Sequence, residues 1–262
     1  MGNFRIVSGL MNRMIITTFA AVALFHAPQV SAENIVIPAY FYPGPTGGYW
    51  NQVNAAAASV PTIAIFNPNS GPGTALDQNY LQAINKLHAA GGKAYAYVHT
   101  SYGTRPITDV ARDVNTYVAF YPIDGIFIDE MTSDSSSASL NYYQSIYNYV
   151  KGLNMTYGVI GNPGTSVPEI YASLPVADRL VVFESSAKAF ASYKPAAWQA
   201  NYPSDRFVNI VHSATQKQMQ NIYQFTSTHN IKNTYVTSDS RSNPYDTLPS
   251  YWNDEVFQAA TH

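Results

Sequence analysis

An eightfold alternation of short β-branched or aromatic runs with longer helical patterns predicts an α/β protein built as a single-domain (β/α)8, TIM-like barrel. Three observations carry this reading. Eight strand-helix pairs occupy about 230 residues, close to the roughly 250 typical of such barrels. The first loop, Tyr42-Pro43-Gly44-Pro45-Thr46-Gly47-Gly48, has no G-x-G-x-x-G pattern. Its prolines lack the amide donors that a phosphate would need, which argues against an open dinucleotide-binding sheet. Finally, no linker or composition shift divides the chain, and the polar stretch 133–139 is short enough to be one loop.

Taken in order, the first strand is read at 35–40 and is followed by an Ala-rich helix at 50–59. The second strand, 62–66, leads to a helix at 79–90 that Gly91 and Gly92 terminate. The third strand is 93–98 with a helix at 107–120, and the fourth is 125–128 with a helix at 140–152. The fifth is 157–160 with a short helix near 168–173. The sixth, 180–183, precedes a helix read at 187–198. The last two pairs are 207–211 with 214–229, and 234–236 with 248–260.

Ahead of the barrel, residues 1–32 read as a secretory leader. Arg5 and Arg13 precede the 11-residue apolar run 15–25, and Val30-Ser31-Ala32 offers a small-residue cut. Met11 is an alternative start that gives the leader a more usual length. The run is too short to span a bilayer, which needs about 20 apolar residues. The expectation is therefore a secreted, extracellular chain of residues 33–262, with no stable membrane span. Without the leader the net charge becomes −4 rather than the −2 of the full chain. Cys is absent, so no disulfide supports it.

Charged residues make up only 11%, against roughly 25% in ordinary domains, while Tyr occurs 21 times. The acidic balance excludes a basic nucleic-acid face. A weakly charged, Tyr-rich surface suits neutral polyhydroxylated ligands.

Barrel chemistry collects where strands end and βα loops begin. Strand by strand, those positions hold Tyr40 and Tyr42, Asn67 and Asn69, His99 with Ser101 and Tyr102, Asp129 and Glu130, Asn162, Glu184, His212, and Asp239. Asp129 and Glu130 follow an apolar strand directly. Neighbouring strand residues face opposite ways, so one carboxylate can point along the barrel axis while the other leans over the rim. An acid after a strand can equally cap the next helix, but that helix is read as starting near Leu140, too far away. Glu184 repeats the pattern two strands on, and Arg179 or Lys188 would be its partner if it were only a structural ion pair. Two facing carboxyl groups are what glycoside hydrolysis requires. His99 and His212 lack H-x-H or H-E-x-x-H spacing, so no metal and no cofactor are expected. G-x-S-x-G is absent. Tyr40, Tyr42, Tyr102 and Trp50 are candidates for stacking on sugar rings or for plain packing.

Five stretches in this order carry a family resemblance: Ile65-Phe66-Asn67-Pro68-Asn69-Ser70-Gly71-Pro72-Gly73, Thr100-Ser101-Tyr102-Gly103-Thr104-Arg105-Pro106, Asp124 to Glu130, Asn162-Pro163-Gly164-Thr165, and Val181 to Glu184. Together they resemble the spherulin-4 (spherulation-specific) family over about 35–257. That family includes glycoside hydrolase family 135, barrel-shaped endo-α-1,4-N-acetylgalactosaminidases that cleave galactosaminogalactan. The resemblance implies that Asp129, Glu130 and Glu184 line the active cleft. By analogy with retaining α-galactoside barrels, Asp129 is the expected nucleophile and Glu184 the acid/base, with Glu130 orienting substrate or tuning a pKa. Tyr40, Tyr42, Asn67, Asn69, His99, Tyr102, Asn162, His212 and Asp239 are the expected substrate contacts. The expected partner is a galactosaminogalactan-like polysaccharide, and the chain is expected to act as a monomer. Two alternatives stay open: a non-catalytic polysaccharide-binding, spore or cell-surface protein on the same fold, and metal-dependent de-N-acetylation.

Overall fold

The run Thr62–Phe66 is buried at every residue, so the sheet it joins is covered on both faces, as parallel sheets are. The computed structural model describes residues 1–2, 32–240 and 242–262. Its strands are β1 (Asn34–Pro38), β2 (Thr62–Phe66), β3 (Lys93–His99), β4 (Gly125–Asp129), β5 (Gly158–Gly161), β6 (Arg179–Ser186), β7 (Phe207–His212) and β8 (Asn233–Val236). They alternate with helices α1 (Trp50–Ala57), α2 (Gln78–Ala89), α3 (Ile107–Phe120), α4 (Ser137–Leu153), α5 (Ile170–Ser173), α6 (Ala187–Phe190), α7 (Gln216–Thr228) and α8 (Trp252–Thr261). Every strand pairs in parallel with the next, and β8 pairs with β1 to close the ring. The expected single-domain (β/α)8 barrel is what forms. The leader expected over residues 1–32 falls almost wholly on 3–31, outside the described residues. Among the described residues, no helix is long and apolar enough to cross a membrane.

Local chemistry explains the element ends. Asp77 caps α2 by accepting from the Asn79 amide at 2.8 Å. The same helix stops where Gly91 adopts a φ of 89°, and Gly92 N–H returns to Leu87 C=O at 2.9 Å. Thr215 and Gln218 close a reciprocal capping box at the start of α7. Ser136 caps α4, so neither Asp129 nor Glu130 is spent as a cap.

The sixth helix departs from expectation. Instead of running to residue 198, α6 is a single turn, and the chain continues irregularly to a 3₁₀ turn at Ala197–Asn201. Pro195 accounts for this, because it has no N–H to donate and its ring disfavours a helical residue before it. Aromatic packing fills the thinned layer: Phe183 meets Phe190 at 5.1 Å and Tyr193 at 4.8 Å between ring centroids.

Register decides which side chains enter the barrel. Pro38, Ile65, Tyr95, Gly125 and Gly158 lie abreast on successive strands. One step up, Tyr97, Phe127 and Ile160 are level, and above them His99 is level with Asp129. Tyr40, which follows β1, meets Tyr97 of β3 edge to face at 5.7 Å. Strands that are not neighbours can touch only through the interior, so this is the inward face.

Candidate active site

Asp129 ends β4 on that inward face. Glu184 gets there by a different route. The β6–β7 register shifts between Val181 and Phe183, so Val181 is level with Val208 and Glu184 with Ile210. In a regular strand, residues three apart point to opposite faces. The extra residue of this bulge turns Glu184 inward, the re-aiming that bulges provide beside functional sites.

Asn162, immediately after β5, joins the two acids. Its Nδ2 donates to Asp129 Oδ1 at 2.8 Å and to Glu184 Oε2 at 2.6 Å. The backbone fixes it from both sides, with Asn162 N–H bonded to Ile128 C=O and Met131 N–H bonded to Asn162 C=O. Glu184 Oε1 accepts from the Tyr245 hydroxyl at 2.6 Å. The Glu130 amide and the nearby Tyr97 hydroxyl both act to lower the pKa of Asp129. Gly164, at a φ of 64°, lets its loop pass close over Glu184, whose amide bonds Gly164 C=O at 2.9 Å.

Burial pushes the pKa of Glu184 up and its hydrogen bonds oppose this, with Asp129 adding a further upward push. Burial likewise raises Asp129, against the donors around it, and Glu130 adds to the rise. Tyr97 and Tyr245 are pushed far above their ordinary range by burial and by the two acids, so both remain hydroxyl donors. No Lys or Arg forms an ion pair with Asp129 or Glu184 among the described residues. Arg179 faces Asp205 instead, at 3.8 Å.

Glu130 leans over the rim. Its backbone is left-handed at a φ of 54°. Its carboxylate accepts from the Ser101 amide at 3.1 Å and stands 3.6 Å from His99 Nδ1. Thr100 Oγ1 and the Tyr102 amide hold its carbonyl at 2.7 and 2.8 Å. Ser70, Ser101, Tyr102 and Ser213 are also left-handed, and all lie in loops that follow strands. Such strain in ordinary residues costs about 1–3 kcal/mol each and gathers where function holds it.

The remaining expected contacts divide. Tyr40 packs against Tyr97 and Tyr245, and Tyr102 is 65% exposed at the rim. His99 and His212 each bond a neighbouring serine hydroxyl, Ser101 and Ser213. Burial lowers the pKa of His212. Asn67 bonds Gly71 N–H and Asn69 N–H bonds Gly71 C=O, so both are used in shaping their own loop. Tyr42 accepts from Asn79 at 2.6 Å, away from the acids. Asp239 bonds Ser240 N–H and Thr247 within its own loop. Trp50 is fully buried and donates to Phe41 C=O, so it packs in the core and offers no sugar platform. Among the described residues, no three His, Asp or Glu side chains gather closely enough to share an ion.

Tyr97 and Tyr245 were not among the expected residues. Tyr97 carried a signal, since it sits two residues before His99 and so shares its face. Tyr245 carried none, because it lies in a loop without periodicity.

Facing carboxylates at the C-terminal rim of a closed (β/α)8 barrel define a glycoside-hydrolase-like protein. The chain belongs to the spherulation-specific family 4, whose model matches residues 34–259. It is 35% identical over 257 residues to Spherulin-4 of Physarum polycephalum, covering 93% of this chain and 75% of that protein. In structure it is similar to Sph3 of Aspergillus clavatus, solved in complex with GalNAc. The TM-score is 0.77 at 26% identity, covering 88% of this chain and 99% of that one. A chitinase of Chromobacterium violaceum shares the fold, with a TM-score of 0.59 at 11% identity over 88% of this chain and all of that one.

Proposed function

We propose that this chain is a secreted, retaining endo-glycoside hydrolase that cuts an α-1,4-linked polymer containing N-acetylgalactosamine or galactosamine. The carrying observation is the shared amide of Asn162. One nitrogen reaches an oxygen of each acid, so those oxygens are no further apart than 2.8 Å and 2.6 Å laid end to end. Retaining pairs stand about 5–5.5 Å apart, whereas inverting pairs need about 6.5–9.5 Å to admit a water. This short bound between one oxygen of each acid favours the first class.

In this mechanism Asp129 attacks the anomeric carbon as a carboxylate while the glycosidic C–O bond breaks. Glu184, whose pKa burial raises, delivers its proton to the departing oxygen. The glycosyl ester on Asp129 is then hydrolysed by a water that Glu184 deprotonates, which restores both groups. Glu130, His99 and Tyr102 lie where the polymer enters. The GalNAc bound by the A. clavatus relative supports a hexosamine substrate. The leader read at residues 1–32 supports export.

The test uses protein recovered from culture medium, its N-terminus read, and assayed for new reducing ends on the polymer. Asp129→Asn and Glu184→Gln should each lower the rate at least about 10³-fold without loss of fold. Wild-type rates in both variants would overturn the reading. Saturable binding of polymer by the wild type with no new reducing ends would instead establish the carbohydrate-binding alternative.

A further inference from the structure

The acids are held entirely by neutral donors, and the donors are distributed unevenly. Asn162 serves both carboxylates. Tyr245, from the loop after β8, bonds Glu184, while the Glu130 amide and Tyr97, from β3, act on Asp129. The Asn162 side-chain oxygen Oδ1, which would repel two carboxylates, accepts no bond. We infer that Tyr245 and Tyr97 are positioning residues that set the two acids separately, Tyr245 holding Glu184 as the proton donor and Tyr97 holding Asp129 as the nucleophile, with Asn162 fixing the distance between them.

This inference rests on the proposed hydrolase reading. A two-carboxylate mechanism needs one group ionised and its neighbour protonated at the same pH. A Lys or Arg against the pair would favour the charged form of both and leave no acid to donate. Neutral hydroxyl and amide donors favour the charged form only modestly, so burial can keep one group protonated. With one tyrosine on each acid, the two can be adjusted independently. The other titratable groups facing the pair are Tyr40, between the two tyrosines, Glu130 beside Asp129, and His99, level with Asp129 on β3 and 3.6 Å from Glu130.

The tyrosines can be tested without disturbing the packing. Tyr40 meets Tyr97 at 5.7 Å and Tyr245 at 5.9 Å edge to face, contacts that Phe preserves. Removing a donor from a carboxylate raises its pKa. In Tyr245→Phe the alkaline limb of the kcat/KM profile, set by protonated Glu184, should move up by about one pH unit with the acidic limb nearly fixed. In Tyr97→Phe the acidic limb, set by ionised Asp129, should move up by about the same amount, so activity fails sooner on acidification.

A second readout needs no turnover. With ¹³C-labelled carboxyl groups, the Glu184 signal is the one missing from Glu184→Gln, and the Asp129 signal the one missing from Asp129→Asn. The larger midpoint shift should fall on Glu184 in Tyr245→Phe and on Asp129 in Tyr97→Phe. If both variants move the same limb, or neither carboxyl midpoint moves, the inference is wrong. A chain that shows the carboxyl shifts but never cuts polymer would refute the hydrolase reading and leave the donor assignment intact.

Discussion

Tyr102 displays an aromatic ring at 65% exposure from a left-handed backbone with a φ of 53°, beside Glu130 and one residue beyond Ser101. Both features cost free energy, and the bonds of Tyr102 N–H to Glu130 C=O at 2.8 Å and of Gly103 N–H to Thr100 C=O at 3.1 Å hold the backbone there. Most other tyrosines in the chain are buried, so this ring stands out as a platform for the apolar face of a pyranose. Tyr102→Ala should raise KM for polymer about 3- to 10-fold with kcat little changed. Thermal stability should shift by less than about 0.5 kcal/mol, as for an exposed side chain. An unchanged KM would remove Tyr102 from the substrate path. At this scale the sequence was informative wherever a strand delivered the residue. Asp129, Asn162 and Glu184 were readable because apolar runs end on them. Their bond partners were not readable: the Tyr245 loop has no period, and the sharing of one amide between two acids is a property of three dimensions.

The strands also contain a dependence that no single strand reveals. Tyr95 of β3 is level with Gly125 of β4, which is level with Gly158 of β5. A Cβ on Gly158 would overlap the Tyr95 hydroxyl and stand 2.7 Å from the ring carbon that bears it. The tyrosine thus fills the space that three strands would otherwise divide. Gly158→Ala should therefore destabilise by about 1–3 kcal/mol through overpacking. Adding Tyr95→Phe should recover part of that loss, because the hydroxyl is the nearest obstacle. A neutral Gly158→Ala in denaturant unfolding would contradict this packing. The order and number of elements were legible because periods of two and 3.6 alternate cleanly. The bulge in β6 was not, because nothing in Arg179-Leu180-Val181-Val182-Phe183 distinguishes a slipped register from a straight one. Had the strand been straight, Glu184 would have faced outward. The shortened α6 was partly legible, since Pro195 stands within the helical pattern.

Across the whole molecule, the resolved shifts of acids fall into two groups. Glu33, Asp129, Glu184 and Glu255 are buried and raised, whereas Asp134 and Asp254 near the surface are lowered by hydrogen bonds from Ser136 and Gln216 first among their partners. A raised acid binds its proton more tightly folded than unfolded. Its contribution is complete below the unfolded pKa and is lost as pH rises through the folded one. The lowered acids act in the opposite direction, losing their contribution as pH falls, but they are solvent-screened and count for little. Stability should therefore decline from mildly acidic toward alkaline pH. Glu33 makes the prediction specific. It lies 2% exposed between β1 and α7, bonded to Thr226 at 2.9 Å, and burial raises it to about 7 from the ordinary 4.5. Between those values the shift is worth about 3 kcal/mol. A cut after Ala32 would place an ammonium on Glu33 itself and pull its carboxyl down, so the measurement belongs on the uncut chain. Thermal unfolding from pH 4 to 8 at constant salt should show Tm falling as pH rises, and Glu33→Gln should flatten that fall by roughly 6–12 °C. Parallel curves for the two proteins would show that Glu33 does not carry this part of the pH dependence.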